Sequence, residues 1–182
     1  MWSKHKKLKE LNALFAGKLK RANVKDIHAK TFNKHMLKKN LISFFIVTSV
    51  FTLDRFSKYI ILSLSEPLGE LNIAITSYLN FNLLWNDGIA FGLLSFEENL
   101  YYNIVTLVII LVTLIVIWFA YRSKGLEKFS FLLIIGGSFG NIFDRLYYSS
   151  VIDFIDINYK NFHWFIFNVA DIFITIGVLI LI

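Results

Sequence analysis

The sequence predicts an all-α membrane bundle of four transmembrane helices carrying a small extracytoplasmic β element, and three observations predict it. Its 182 residues are 56% hydrophobic, with a mean hydropathy of +0.58, too apolar for a soluble globule of one-domain size. Four apolar stretches, at about 41–62, 101–121, 129–147 and 165–182, approach or reach the roughly 20 residues that cross a hydrocarbon core of about 30 Å. Basic residues lie where they would orient such helices: residues 1–40 hold twelve of the nineteen Lys and Arg, and the rest of the chain has a net charge of −4.

Taken in order, residues 1–40 form a basic N-terminal extension ahead of a membrane domain at 41–182. Lys and Arg near helix ends stay on the cytoplasmic side, so the extension is expected inside. Its Trp2, Leu8, Leu11, Leu14 and Phe15 fit a helix on an anionic inner leaflet, and they fit a disordered leader equally well. A basic lead this long, with no small-x-small site after the first span, predicts a retained anchor and not a cleaved secretory signal. The segment 59–99 lacks Lys and Arg but holds Glu66, Glu70, Asp87, Glu97 and Glu98, so it belongs outside. Within it Leu79, Phe81, Leu83 and Trp85 alternate before Asn86, Asp87 and Gly88, the pattern of a strand leading into a turn. Tyrosines flank the second span, and "RSKGLEK" (122–128) turns the chain back inside. "VIDFIDIN" (151–158) alternates again, so the β element is expected within 63–98 and 150–163, with both termini cytoplasmic.

Cysteine is absent, which excludes disulfides, thiolate metal sites and a cysteine nucleophile. His163 is the one histidine beyond the extension and has no ligand spacing, so no metal or cofactor is expected. The basic charge is assigned to membrane lipid and topology, not to nucleic acid.

Polar residues inside the spans carry the chemistry. Counted from the span ends, Asp54 lies about 20 Å from the inner boundary, Asp144 about 22 Å from it and Asp171 about 9 Å from the outer one, a single layer near the outer rim. Asp54 and Lys58 share a face and are expected to pair; Asn141, Asp144 and Arg145 share another, with Arg145 expected to clamp Asp144; Asn168 and Asp171 share a third. Gly136 and Gly140, four apart, allow a neighbouring helix to approach just below this layer. Asp171 has no basic neighbour on its own helix, and an unpaired buried carboxylate either keeps its proton or does chemistry. Two such groups close together split into an acid and a base near neutral pH, the arrangement of an aspartic protease. The residues themselves leave the second carboxylate open among Asp153, Asp144, Asp156 and Asp54. A proton-coupled transporter, the rival reading, would need acids along a path across the membrane and not in one layer.

Five blocks in order, "DRFSK" (54–58), "NDGIAFGLL" (86–94), "GGSFGNIFDR" (136–145), "VIDF" (151–154) and "FNVAD" (167–171), make residues 41–182 resemble the lipoprotein signal peptidases, the type II signal peptidases of bacteria. The resemblance implies an inner-membrane aspartic endopeptidase with four spans and an extracytoplasmic β-cradle. Such an enzyme removes signal peptides from prolipoproteins just before a diacylglyceryl-modified cysteine. It implies Asp153 and Asp171 as catalytic residues, Asn86, Gly88, Asn141, Arg145 and Asn168 as lining the substrate site, and Asp54, Lys58 and Asp144 as supporting groups. It also implies inhibition by the cyclic peptide globomycin; a monomer is expected. Ser57 stands where the family commonly has Thr, the basic leader exceeds the usual length, and the family's basic C-terminal tail is missing.

Overall fold

The computed structural model describes residues 37–65, 71–87, 98–159 and 162–182. The chain divides into units 1–42 and 43–182; of the first, residues 37–42 are described and are helical. Expectations for the extension before residue 37, and for Gly88, lie outside the described residues. In order come helix α1 (37–65), strands β1 (Asn72–Ala74) and β2 (Leu79–Asn86), helices α2 (Glu98–Arg122) and α3 (Gly125–Tyr148), strands β3 (Val151–Tyr159) and β4 (Phe162–Phe167), and helix α4 (Val169–Leu181).

By length and composition α2 and α3 are able to cross a membrane, rising about 37 and 36 Å. Two residues join them, which makes them antiparallel neighbours. Leu107, Val108, Leu111, Ile115 and Trp118 of α2 are all more than half exposed. A protein in water does not leave such a helix uncovered; lipid is the solvent that makes it stable. The inward side packs Ala120, Leu132 and Ile135 against Ile46, Val47 and Val116.

The helices approach closely because α3 has no Cβ at the crossings. A Cβ on Gly136 would lie 2.7 Å from Val50 and one on Gly140 2.5 Å from Asp54, so the four-residue spacing on α3 matches the four-residue spacing on α1. Gly137 faces α4 in the same way, against Ala170 and Ile174.

The four strands form one antiparallel sheet in sequence order. Ile152 and Phe154 anchor it on Ile61 and Leu71. The fourth span differs from expectation at its start. Residues 162–167 are extended and pair with β3, and α4 begins only at Val169, because Asn168 takes an extended conformation and caps the helix.

Candidate functional site

Four charges meet where α1 crosses α3. Lys58 Nζ lies 3.0 Å from Asp54 and 2.5 Å from Asp144. Arg55 reaches the same two carboxylates at 2.8 and 2.5 Å, donates to the Gly140 carbonyl at 3.3 Å and lies over the Phe143 ring. Two cations balance two anions, which is what permits Asp54, Lys58 and Asp144 to be no more than 1% exposed. The expected Asp54–Lys58 pair is present. The expected clamp of Arg145 on Asp144 is not: adjacent helical residues diverge by about 100°, so Asp144 turns to α1 while the Arg145 guanidinium lies 5.5 Å from the Tyr102 ring centroid on α2.

The charge cluster is tied to the start of α4. Asp54 Oδ1 accepts from the Ala170 backbone N–H at 3.0 Å, a carboxylate placed at a helix N-terminus where the peptide dipoles favour it. Asn168 and Asp171 complete that end as a capping box: Asn168 Oδ1 accepts from Asp171 N–H at 3.0 Å, and Asp171 Oδ2 accepts from Asn168 N–H at 3.1 Å. Asp171 is thus the third residue of α4.

Asn168, fully buried, also faces the sheet. Its Nδ2 donates to Asp153 Oδ1 at 2.6 Å and to Asn141 Oδ1 at 3.1 Å. Asn141 Nδ2 in turn donates to Asp171 Oδ1 at 2.8 Å. On the other side Asn86 Nδ2 donates to Asp153 Oδ2 at 2.8 Å. Every oxygen of the two carboxylates therefore receives one N–H, three from asparagine amides and one from the backbone.

A bulge brings Asn86 there. Phe81 pairs with Ile155, and continuing that register would set Trp85 opposite Val151. A one-residue shift between Phe81 and Leu84 sets Asn86 opposite Val151 instead, on the face that carries Asp153. Burial pushes the Asp153 carboxyl up to about 6, opposed by the Asn86 hydrogen bond, reinforced by the charge of Asp171, and opposed again by Asn168 and Lys58.

Of the carboxylates left open by the sequence, Asp153 is the one that shares a donor with Asp171. Asp144 and Asp54 are engaged by Lys58 and Arg55, and Asp156 accepts from Asn82 at 2.6 Å within the sheet. Asn86, Asn141 and Asn168 converge on the pair, while Arg145 stands apart with Nε and Nη1 unpartnered among the described residues. Sequence reasoning missed Arg55, whose position beside Asp54 carried no spacing signal. It also missed the capping box, which an asparagine followed three residues later by an acid could have signalled.

A family model described as signal peptidase (SPase) II matches residues 46–182. The chain belongs to the signal peptidase II family. This signal peptidase II homologue is 46% identical over 150 residues to a lipoprotein signal peptidase of Pelagibacter ubique, covering 82% of this chain and 90% of that one. It is 39% identical over 152 residues to one from Francisella tularensis, covering 81% and 93%. Two bacterial membrane enzyme structures determined by the in meso method, at 2.3 and 1.9 Å, superpose with TM-scores of 0.61 and 0.63 at 29% and 28% identity, over 76% of this chain and 84% and 88% of theirs. The signal peptidase II chain is therefore a membrane-embedded hydrolase of the aspartic type.

Proposed function

We propose that Asp153 and Asp171 are the catalytic pair of an intramembrane endopeptidase that cuts signal peptides from diacylglyceryl-modified prolipoproteins. The observation that carries the assignment is Asn168, which donates to Asp153 through its side chain and to Asp171 through its backbone. Both carboxylates have two N–H donors, but Asp171 also has the positive end of α4, which makes it the better seat for the negative charge. Asp153, on a strand with no such dipole and raised to about 6, keeps the shared proton.

Asp171 takes a proton from a bound water as the water oxygen attacks the scissile carbonyl carbon, and Asp153 hydrogen-bonds and protonates the carbonyl oxygen. Collapse of the tetrahedral intermediate breaks the C–N bond, the proton on Asp171 passes to the leaving amine, and Asp153 recovers its own from the hydroxyl. Asn86, Asn141 and Asn168 hold the carboxylate oxygens without neutralising them, so little reorganisation is needed as charge moves. Arg145, with buried N–H groups unpartnered among the described residues, supplies donors to substrate carbonyls, and the family resemblance assigns Gly88 to substrate binding as well. A signal segment in lipid beside the bundle, with its acyl chains in the bilayer, presents an extended peptide at this depth whose amides need such partners.

The enzyme works as a monomer in the bacterial inner membrane with both termini cytoplasmic, its basic extension of residues 1–40 on the inner side and its membrane domain at 41–182. The excess of Lys and Arg in the extension supports that orientation. Detergent-solubilised protein incubated with a diacylglyceryl-modified prolipoprotein should release the signal peptide, globomycin should suppress the release, and the unlipidated precursor should be cut slowly or not at all. Equal cleavage of both precursors, insensitive to globomycin, would reject this function.

A further inference from the structure

Asn141 is held in one of two amide orientations, and one of the groups that fix it lies outside the catalytic pair. Its Oδ1 faces two donors, Asn168 Nδ2 at 3.1 Å and Lys58 Nζ at 3.2 Å, and its Nδ2 faces one acceptor, Asp171 Oδ1 at 2.8 Å. Turning the amide over would set an NH2 against an ammonium and a second NH2, and a carbonyl oxygen against a carboxylate. Asn168, whose own amide is set by the cap on α4 and by Asp153, favours the same orientation, and Asp171 enforces it only until it takes the proton from water. The ammonium of Lys58 has no acceptor state, so it can only demand an oxygen. It is itself fixed by Asp54 and Asp144, and Arg55 neutralises what remains of their charge.

We infer that Lys58 is a positioning residue for Asp171: its ammonium locks the Asn141 amide so that Nδ2 points at Asp171 Oδ1, fixing the rotamer of that carboxylate toward Asp153. This rests on the catalytic reading of Asp153 and Asp171, and it assigns Lys58 more than the partner of Asp54. A simple ion pair between α1 and α3 would require Lys58 to touch Asp54 and Asp144 and nothing else. The third contact, to the amide that holds Asp171, is what an ion pair leaves unexplained.

The test is the double variant Lys58→Met with Asp144→Asn, which removes one charge of each sign and leaves the Asp54–Arg55 pair. Measured on lipidated precursor, kcat should fall about 100-fold, the scale of a misplaced reacting group, while KM stays within about twofold, since substrate is not touched. The thermal midpoint in detergent identifies folded protein. Should the double variant fail to fold, Asn141→Asp serves: it keeps an acceptor for Lys58 and Asn168 but has no N–H for Asp171. Its kcat should fall by a similar factor at neutral pH, and the thermal midpoint again identifies folded protein, since the second oxygen of the new carboxylate faces Asp171. Folded double variant, or Asn141→Asp, turning over at the wild-type kcat overturns the inference. If Asp153→Asn and Asp171→Asn are also active, it is the catalytic pair that fails; if those two are dead, only the role of Lys58 fails.

Discussion

Asn168→Ser separates the two jobs of one side chain. Serine caps a helix about as well as asparagine, so its hydroxyl can still accept from Asp171 N–H and α4 should keep its start. What disappears is Nδ2, and with it the 2.6 Å hydrogen bond to Asp153 Oδ1. A hydrogen bond to a charged group contributes roughly 1.5–3 kcal/mol, or about one to two pH units at about 1.4 kcal/mol each. That bond favours the ionised form, so removing it should move the Asp153 titration from about 6 to about 7–8. The alkaline limb of kcat/KM, which reports the free enzyme, marks the pH at which the shared proton leaves. It should sit near 6 in the native enzyme and move upward by that amount in the variant, measured with a diacylglyceryl-modified precursor across pH 4.5–9. A limb that stays put or moves downward would refute the reasoning, because Asn168 would then not be donating to a carboxylate that titrates.

Other expectations are quickly put to measurement. Asn168→Ala removes the cap as well as the donor and leaves Asp153 Oδ1 and Asn141 Oδ1 short of a partner. It should therefore cost about 1 kcal/mol more in stability than Asn168→Ser, seen as a lower thermal midpoint in detergent. Gly140→Ala places a methyl 2.5 Å from Asp54 Oδ2, an atom held by Arg55 and Lys58, and should destabilise by about 1–3 kcal/mol; an unchanged midpoint would contradict the close crossing of α1 and α3. The raised Asp153 also fixes the sign of a stability effect. The folded state holds this proton more tightly than the unfolded chain, so the contribution is complete below pH 3.8 and is lost as pH rises through about 6. This amounts to about 3 kcal/mol, and Asp153→Asn should abolish that part of the pH dependence.

The bundle was legible because lipid imposes strong rules on composition: apolar length and tyrosine flanks read directly as α2 and α3 and as helical packing around them. The strands were legible from alternation at Leu79 to Trp85 and Val151 to Asn158. Where reading by pattern stopped was at positions set by tertiary contact. The start of α4 slipped from 165 to Val169 because Phe165 to Phe167 are as apolar as the helix that follows, and only pairing with β3 makes them extended. Asp144 and Arg145 were expected to pair across a shared helix face, yet adjacent helical residues point about 100° apart, and the cations that meet Asp144 are Arg55 and Lys58 of another helix. Alternation puts Asp153 and Asp156, three apart, on opposite faces of β3, but it does not say which face meets Asp171. Asn168 separates them, and its reach across to the sheet has no trace in spacing.

The most direct measurement is turnover of lipidated prolipoprotein by purified Asp153→Asn and Asp171→Asn proteins that keep the native thermal midpoint. If these carboxylates divide acid and base between them, each amide replacement should leave cleavage at the background rate at every pH. Sustained turnover in either protein would mean that the bond is broken by other groups.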